Sequence, residues 1–269
     1  MSGSPGARAA RPPTAVSAAR IRSLVARHGT PLLIVDCEAV RRQYLALKRA
    51  LPGVDLYYAL KPLPLAAVVA ELRDLGANFD VATSGEIRLV RRQGVAADRC
   101  MHTHPIKSPA DIAAALRYGI RRFVVDNPDE LRKFTRYRKR VELLLRVSFR
   151  NPAAVVDLSR KFGCEPAAVP SLLDMAVDLG LTIRGLSFHV GSQVADPGKY
   201  VEAIAACRDL MVTLPRAASR VSTASISAAD FPWHTAAIRF RSSGSASRSG
   251  VRWHICLVRH GSSRSPGVS

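Results

Sequence analysis

The regular spacing of strand-like runs is the feature of this sequence that most restricts its fold. Apolar runs typical of buried strands begin near Leu56, Phe79, Met101, Arg122 and Leu143, at intervals of 21 to 23 residues. Helical patterns lie between them, and two of these begin with a cap followed by proline, at Ser108-Pro109 and Asn127-Pro128. Alternating strands and helices predict a parallel sheet covered by helices.

Further elements flank these repeats. Strands are predicted at 31–35 and 185–190, and helices at about 38–51, 65–76, 84–94 and 167–179. Residues 1–29 begin with an Ala, Pro, Ser, Gly and Arg mixture without an apolar core, which predicts a disordered extension rather than a signal peptide.

Two architectures satisfy the repeat, an open doubly wound sheet and a (β/α)8 barrel. A nucleotide-binding open sheet carries G-x-G-x-x-G after its first strand, and no such segment occurs here. In a barrel, chemically active residues gather at the carboxyl ends of the strands. Residues of this kind lie at six predicted strands: Lys61; Asp80 and Glu86; His104 and Lys107; Asp126; Arg146; His189 and Ser192. The α/β barrel is therefore favoured.

Lys61 closes the apolar run Leu56–Leu60, directly before Pro62 and Pro64. A lysine held against apolar walls can lose its proton near neutral pH and attack a carbonyl to form a Schiff base. A single lysine at a strand end is more often structural or directed into solvent, so this signal needs support from the other strands.

Each of the other residues also has an ordinary structural interpretation. Asp126 reads as part of a helix cap, Asp80 as a turn former, Arg146 as an ion-pair partner and His189 as a core histidine. Their shared location on one rim favours a site for a conjugated carbonyl cofactor that carries a phosphate. The lysine would form the imine, the imidazole would stack on a flat ring, and Gly191-Ser192 would offer donors to phosphate.

The composition excludes some classes. The formal net charge is +19, but the basic residues are scattered rather than banded, so nucleic-acid binding remains only a remote alternative. No apolar run approaches the roughly 18 residues of a membrane span. The five cysteines show neither a metal-binding spacing nor a disulfide framework, which favours a cytoplasmic protein without a bound metal.

Six stretches give the sequence a family resemblance. They are Tyr58–Lys61, Phe79–Glu86, His104–Lys107, Leu145–Val147, Arg160–Gly163 and Leu186–Gln193. In order and spacing they resemble the fold-type III pyridoxal-phosphate decarboxylases, the ornithine/diaminopimelate/arginine decarboxylase family, on an alanine-racemase-like barrel. The resemblance covers about residues 30–215.

The resemblance implies a function and a set of roles. It implies pyridoxal 5'-phosphate attached to Lys61, with His189 stacked on its ring, Ser192 and Gly191 at its phosphate and Arg146 near its ring hydroxyl. Asp80 and Glu86 would orient the lysine and line the site. The implied reaction is decarboxylation of a basic amino acid for polyamine biosynthesis, in a homodimer without nucleic-acid or membrane partners. The sequence around His189 is closer to that of ornithine-type members. A diaminopimelate-type enzyme and a non-catalytic, partner-binding member of the same fold are the alternative functions.

The resemblance stops near residue 215. Residues 216–269 hold 13 Ser and 8 Arg but no Lys or Glu, and lack the Gly-Gly-Gly-Phe-Pro loop, the pyridinium-binding Glu and the C-terminal β domain that the family implies. One permitted choice of codons for Ser227–His234, read one base out of frame, encodes Gly-Gly-Gly-Phe-Pro-Val-Ala. We therefore expect a frameshifted or truncated chain: a partial barrel of about six strands over 30–215, a disordered tail over 216–269, and little activity.

Overall fold

The computed structural model describes residues 16–149, 161–191, 196 and 198–211, and the backbone of 212–213, 223–228 and 252–257. Its strands are β1 (Val54–Ala59), β2 (Asn78–Val81), β3 (Cys100–His102), β4 (Arg122–Val125), β5 (Glu142–Val147), β6 (Ile183–Phe188), β7 (Thr223–Ala228) and β8 (Arg252–Leu257). Each strand pairs in parallel with the next, and β8 pairs with β1, which closes a barrel. The predicted α/β barrel is confirmed.

The number of strands differs from the expectation. Strands β1–β6 are the six that the sequence predicts, but β7 and β8 lie in the segment that was expected to contribute none. β7 pairs with β6 through Gly185 and Thr223, and β8 pairs with β1 through Val54 and Trp253. The physical reason is that an open ring leaves the backbone groups of its two edge strands unpaired, and any extended segment can pair with them. The remainder of the predicted disordered tail lies outside the described residues.

Eight α-helices accompany the strands in the described chain. They are α1 (Ala18–His28), α2 (Cys37–Ala50), α3 (Ala66–Asp74), α4 (Ser84–Arg92), α5 (Pro109–Tyr118), α6 (Pro128–Phe134), α7 (Val169–Asp178) and α8 (Gly198–Thr213). The caps at Ser108 and Asn127 are confirmed, since each side chain accepts a hydrogen bond from the backbone three residues later. Helix α4 is capped by Thr83.

Two expectations near the N-terminus are corrected. Residues 31–35 are not a strand but an irregular connection to α2, because the ring already supplies both neighbours of β1. The predicted disordered extension contains α1, which starts at the cap Ser17 and ends at Gly29. No side chain of α1 is fully buried.

The strands bury their two faces differently. Outward side chains such as Phe79 and Phe123 are fully buried against the helices. Inward side chains form a separate buried cluster of Tyr57, Met101, Val124 and Leu144. Because side chains alternate along a strand, this inner cluster identifies which positions face the barrel interior. Within the described part of the chain, none of the helices combines the length and apolarity needed to cross a membrane.

Candidate active site

The predicted site residues occupy inward positions at the carboxyl end of the barrel. Thr103, Asp126 and Arg146 each lie two residues beyond an inner-cluster residue, and Lys61 lies four residues beyond Tyr57. Asp80 lies between two outward-packed residues of β2. The pleat therefore brings these side chains to one mouth, as barrel topology requires.

Lys61 follows β1 and is exposed at this mouth. The backbone N–H of the preceding Leu60 donates to the carbonyl of Asp80 at 3.1 Å, which extends the pairing of β1 with β2 up to the lysine. The ammonium group is close enough to act electrostatically on both Glu86 and His189. The structure thus places Lys61 near both Glu86 and His189.

Glu86 lies in the first turn of α4 and is buried. Its Oε2 accepts the N–H of Ala82 at 2.7 Å, and its own N–H donates to the Thr83 hydroxyl at 3.2 Å. Burial raises the pKa of Glu86, while these hydrogen bonds and the charge of Lys61 oppose the shift. This carboxyl is therefore easier to protonate than one in water.

Asp80 is held by its neighbouring strand. The hydroxyl of Thr103 donates to its Oδ1 at 2.5 Å, and both residues face inward. The hydrogen bond fixes the direction of a buried carboxylate that would otherwise lose its solvation. Thr103 was absent from the predicted site, although its position two residues after Met101 on an inward face was a signal that could have found it.

Arg146 is a buried cation at the centre of this arrangement. Burial lowers the pKa of its guanidinium to about 10, and the charges of Asp126 and Asp80 oppose that shift. The ring of Phe162 lies 5.3 Å from the guanidinium carbon, a cation–π contact. Phe162 is a second residue that was given no role from the sequence, although it lies in one of the six family-like stretches.

His189 follows β6 with its imidazole buried. Its Nδ1 accepts the N–H of Gly191 at 2.9 Å. Burial lowers the pKa of His189 to about 3, and the nearby charges of Arg146 and Lys61 contribute to the shift, so the ring is neutral at physiological pH. Gly191 has φ of 106°, a conformation that favours glycine. Ser192 lies outside the described residues.

Of the two residues predicted on the rim after β3, Lys107 is turned into the loop, whereas His104 lies against Phe162. Lys107 is buried, and its Nζ donates to the carbonyls of His104, Pro105 and Val124 at 3.0, 2.9 and 2.6 Å. The Glu130 carboxylate lies 3.5 Å from the same ammonium. Lys107 therefore anchors the loop after β3. His104 packs edge-on against Phe162, with 5.5 Å between ring centroids.

Asp126 was interpreted as part of a helix cap, and this needs a correction. The cap of α6 is Asn127, whose Oδ1 accepts the N–H of Glu130 at 3.0 Å. The buried carboxylate of Asp126 instead accepts the N–H of Gly163 at 2.8 Å. Its inward position explains the difference, because side chains at successive residues point to opposite faces.

The sequence profile of the family described as "Pyridoxal-dependent decarboxylase, pyridoxal binding domain" matches residues 37–225. The chain belongs to this family. The chain is thus a member of the pyridoxal-dependent decarboxylases, as its motifs imply, and the matched domain is the one that binds pyridoxal phosphate.

Individual relatives agree with this assignment. The crystal structure of a lysine/ornithine decarboxylase from Vibrio vulnificus, complexed with cadaverine, shares 49% identity at a TM-score of 0.71 over 79% of this chain and 57% of that one. A lysine/ornithine decarboxylase of Selenomonas ruminantium is 34% identical over 72% of this chain and 50% of its own length. Antizyme inhibitor 2 of Xenopus laevis is 36% identical over 65% and 38%. The chain thus spans about half the length, or less, of the curated relatives it matches.

Proposed function

We propose that this chain carries the cofactor-binding part of a decarboxylase that acts on a basic amino acid through pyridoxal phosphate. The observation that carries the proposal is the connected set of charges at the barrel mouth. The charge of Lys61 lowers the pKa of both Glu86 and His189, and the charge of Arg146 also lowers the pKa of His189. The charges of Asp126 and Asp80 in turn raise the pKa of Arg146. An amine, a neutral flat ring and a buried cation are the groups that a phosphorylated carbonyl cofactor needs.

Pyridoxal phosphate supplies a carbonyl that condenses with amines and a conjugated ring that accepts the electron pair left when CO2 departs. Lys61 is the residue that would hold it, because its amine is exposed at the mouth while its stem continues from a buried strand. The neighbouring carboxyl of Glu86 attracts the ammonium and would fix its position.

His189 and Arg146 would orient the group. The imidazole is neutral and held at Nδ1 by Gly191, so it offers a flat face without adding charge. The guanidinium is always protonated at physiological pH and would donate to an anionic oxygen of the ring. Gly191 and Ser192 are proposed for the phosphate; in the structure the Gly191 N–H donates to His189.

The substrate proposal rests on the relatives. The Vibrio structure contains cadaverine, a diamine with the chain length that lysine decarboxylation would leave. The sequence around His189 favours an ornithine-type enzyme, the cysteine pattern favours the cytoplasm, and a homodimer is expected for the complete family members. For this chain we propose low turnover, because the sequence after residue 215 contains no Gly-Gly-Gly segment to bind phosphate through backbone N–H groups.

Reduction with borohydride tests the proposal. The protein is incubated with pyridoxal phosphate, reduced and digested, and the modified peptide is mapped. We expect a pyridoxyl adduct on Lys61 and none in a Lys61→Arg variant, with Lys48→Arg, an exposed change on α2, as the matched control. An adduct on Lys107 or Lys161 instead would overturn the site assignment.

A second candidate is a non-catalytic member that binds another protein. One relative is named as an inhibitor rather than a decarboxylase, and it matches the same domain. Assays with ornithine, lysine, arginine and diaminopimelate separate the two. Turnover above that of free cofactor supports the enzyme, and cofactor binding with no turnover even after the reading frame before Ser227 is restored supports the partner-binding member.

A further inference from the structure

The segment 161–164 lies against the end of β5, beside the buried cation. Cys164 pairs with β5: its N–H donates to the carbonyl of Arg146 at 2.9 Å, and its carbonyl accepts the N–H of Ser148 at 2.8 Å. Phe162, two residues earlier, places its ring against both Arg146 and His104. The position of segment 161–164 therefore decides what covers the guanidinium.

The close approach of this segment depends on Gly163. Its φ is +95°, and a Cβ added there would lie 2.9 Å from the backbone nitrogen of Ser148. A side chain would meet backbone rather than a movable side chain, so the segment would have to shift. The absence of a side chain at Gly163 makes the close contact possible but does not by itself hold the segment in place.

The attraction comes from Asp126 at the end of β4. Its buried Oδ2 accepts the N–H of Gly163 at 2.8 Å, and its Oδ1 accepts the side-chain amide of Asn127 at 2.8 Å. A hydrogen bond from a backbone N–H to a buried carboxylate is among the stronger ones in proteins. The same carboxylate also acts electrostatically on Arg146, so one residue contacts the covering segment and influences the cation beneath it.

We propose that Asp126 is a positioning residue that fixes segment 161–164 against the end of β5 and thereby holds the Phe162 ring against the Arg146 guanidinium. This role toward a cofactor site rests on the proposed function. The packing itself is independent of it and can be measured without cofactor.

The exchange Asp126→Asn is a sharp test. The Asn side chain has a single acceptor oxygen and no charge, so the hydrogen bond from the Gly163 N–H is either lost or made to a neutral amide, which accepts more weakly than a carboxylate. Asp129→Asn is the matched control. It removes the same charge from an exposed position three residues away, where Arg132 is the partner of the carboxylate among the described residues.

Two reporters lie in the segment itself. The Lys161–Phe162 bond is a trypsin site at an exposed lysine, and the Cys164 thiol is 8% exposed. Cys207, fully buried in α8, reports global unfolding. Burial and the charge of Asp126 both raise the pKa of Cys164, to about 12. Removing the charge of Asp126 would by itself lower the pKa of Cys164 and make the thiol more reactive. A Gly163→Ala variant separates the two effects, because it displaces the segment while the charge of Asp126 is kept.

In the cofactor-free protein, Asp126→Asn is expected to raise cleavage after Lys161 and alkylation of Cys164, relative to Cys207, about tenfold, the factor that the loss of one charged hydrogen bond gives. Gly163→Ala should have the same effect, and the double variant should exceed neither single variant by much. Asp129→Asn should match the wild type. An unchanged ratio of Cys164 to Cys207 alkylation, or effects that multiply in the double variant, would overturn the proposal.

A spectroscopic arm separates positioning from mere stability. In protein loaded with pyridoxal phosphate, Asp126→Asn is expected to change the circular dichroism of the bound chromophore, while Asp129→Asn leaves it unchanged. An identical spectrum in both variants would contradict positioning. If wild-type protein binds no cofactor, the proposed function fails, while the cleavage and alkylation results still decide the role of Asp126 in the segment.

Discussion

The hydroxyl of Thr103, directly after β3, donates a 2.5 Å hydrogen bond to the carboxylate of Asp80 in β2. The bond links β2 to β3 at the mouth of the barrel, and it lies beside the backbone contact between Asp80 and Leu60 that leads to Lys61. The orientation of Asp80 therefore depends on a residue that the family motifs do not include.

Replacing Thr103 by valine should weaken the binding of pyridoxal phosphate about fivefold, because one net hydrogen bond to the Asp80 carboxylate is lost without a change in shape. Titration of the cofactor, followed by its absorbance, measures the effect. Thr103→Ser retains the hydroxyl and should bind like the wild type. Equal binding by the valine variant would show that Asp80 needs no such support.

Replacing His102 by phenylalanine should make the protein more stable in mild acid. His102 is fully buried beside Phe123, neither ring nitrogen finds a hydrogen-bond partner among the described residues, and burial lowers its pKa to about 3. Between its ordinary pKa of about 6.5 and this value, the unfolded chain holds a proton that the folded chain does not. Stability therefore falls as the pH drops through this range.

The size of the His102 effect is measurable by urea unfolding at two pH values. At pH 4.5 the histidine should cost at most about 3 kcal/mol relative to pH 7, since each pH unit corresponds to about 1.4 kcal/mol. His102→Phe should remove that share of the pH dependence. His102→Asn removes the titration but keeps an unpaired polar group, so it should lose the pH dependence without gaining stability at pH 7.

Replacing Lys107 by methionine should destabilise the protein by about 3–5 kcal/mol, because three carbonyls lose their donor and Glu130 loses a buried partner. The exposed pair of Lys199 and Glu202 provides the control, and Lys199→Met should change the unfolding midpoint very little. If the two variants behaved alike, the buried ion pair would not be an anchor of the loop after β3.

Restoring the reading frame before Ser227 should increase the affinity for pyridoxal phosphate at least about tenfold, because backbone N–H groups of a glycine loop make charge-assisted hydrogen bonds to phosphate. Equilibrium dialysis against the unaltered chain is the comparison. An unchanged affinity would contradict the frameshift hypothesis, and the nucleotide sequence around codons 205–230 tests it directly.

The sequence predicted the barrel well because its evidence was local. The 21–23-residue repeat and the capped helix starts at Ser108 and Asn127 are read from neighbouring residues, and the structure confirms them. The predicted strand at 31–35 was wrong because strand formation also requires a free edge, which β1 does not offer.

The sequence predicted which residues lie near the candidate site, but it did not predict which groups they contact. Lys107 looked like a rim residue by position, yet its neighbours are three carbonyls and a carboxylate contributed by residues as distant as Glu130. Asp126 looked like a cap because its partner Gly163 is 37 residues away. The sequence pattern identifies polar residues at the ends of strands. Their contacts cannot be read from the pattern, because they depend on which distant loops pack at the same end of the barrel.

The inner cluster of Tyr57, Met101, Val124 and Leu144 gives the described side of the barrel a floor. These four side chains are at most 2% exposed, and the hydroxyl of Tyr57 accepts a hydrogen bond from Arg122 at 2.6 Å. On this described side, a molecule that enters at the carboxyl ends of the strands cannot pass between these four side chains, so it stays at the level of Asp80 and Arg146.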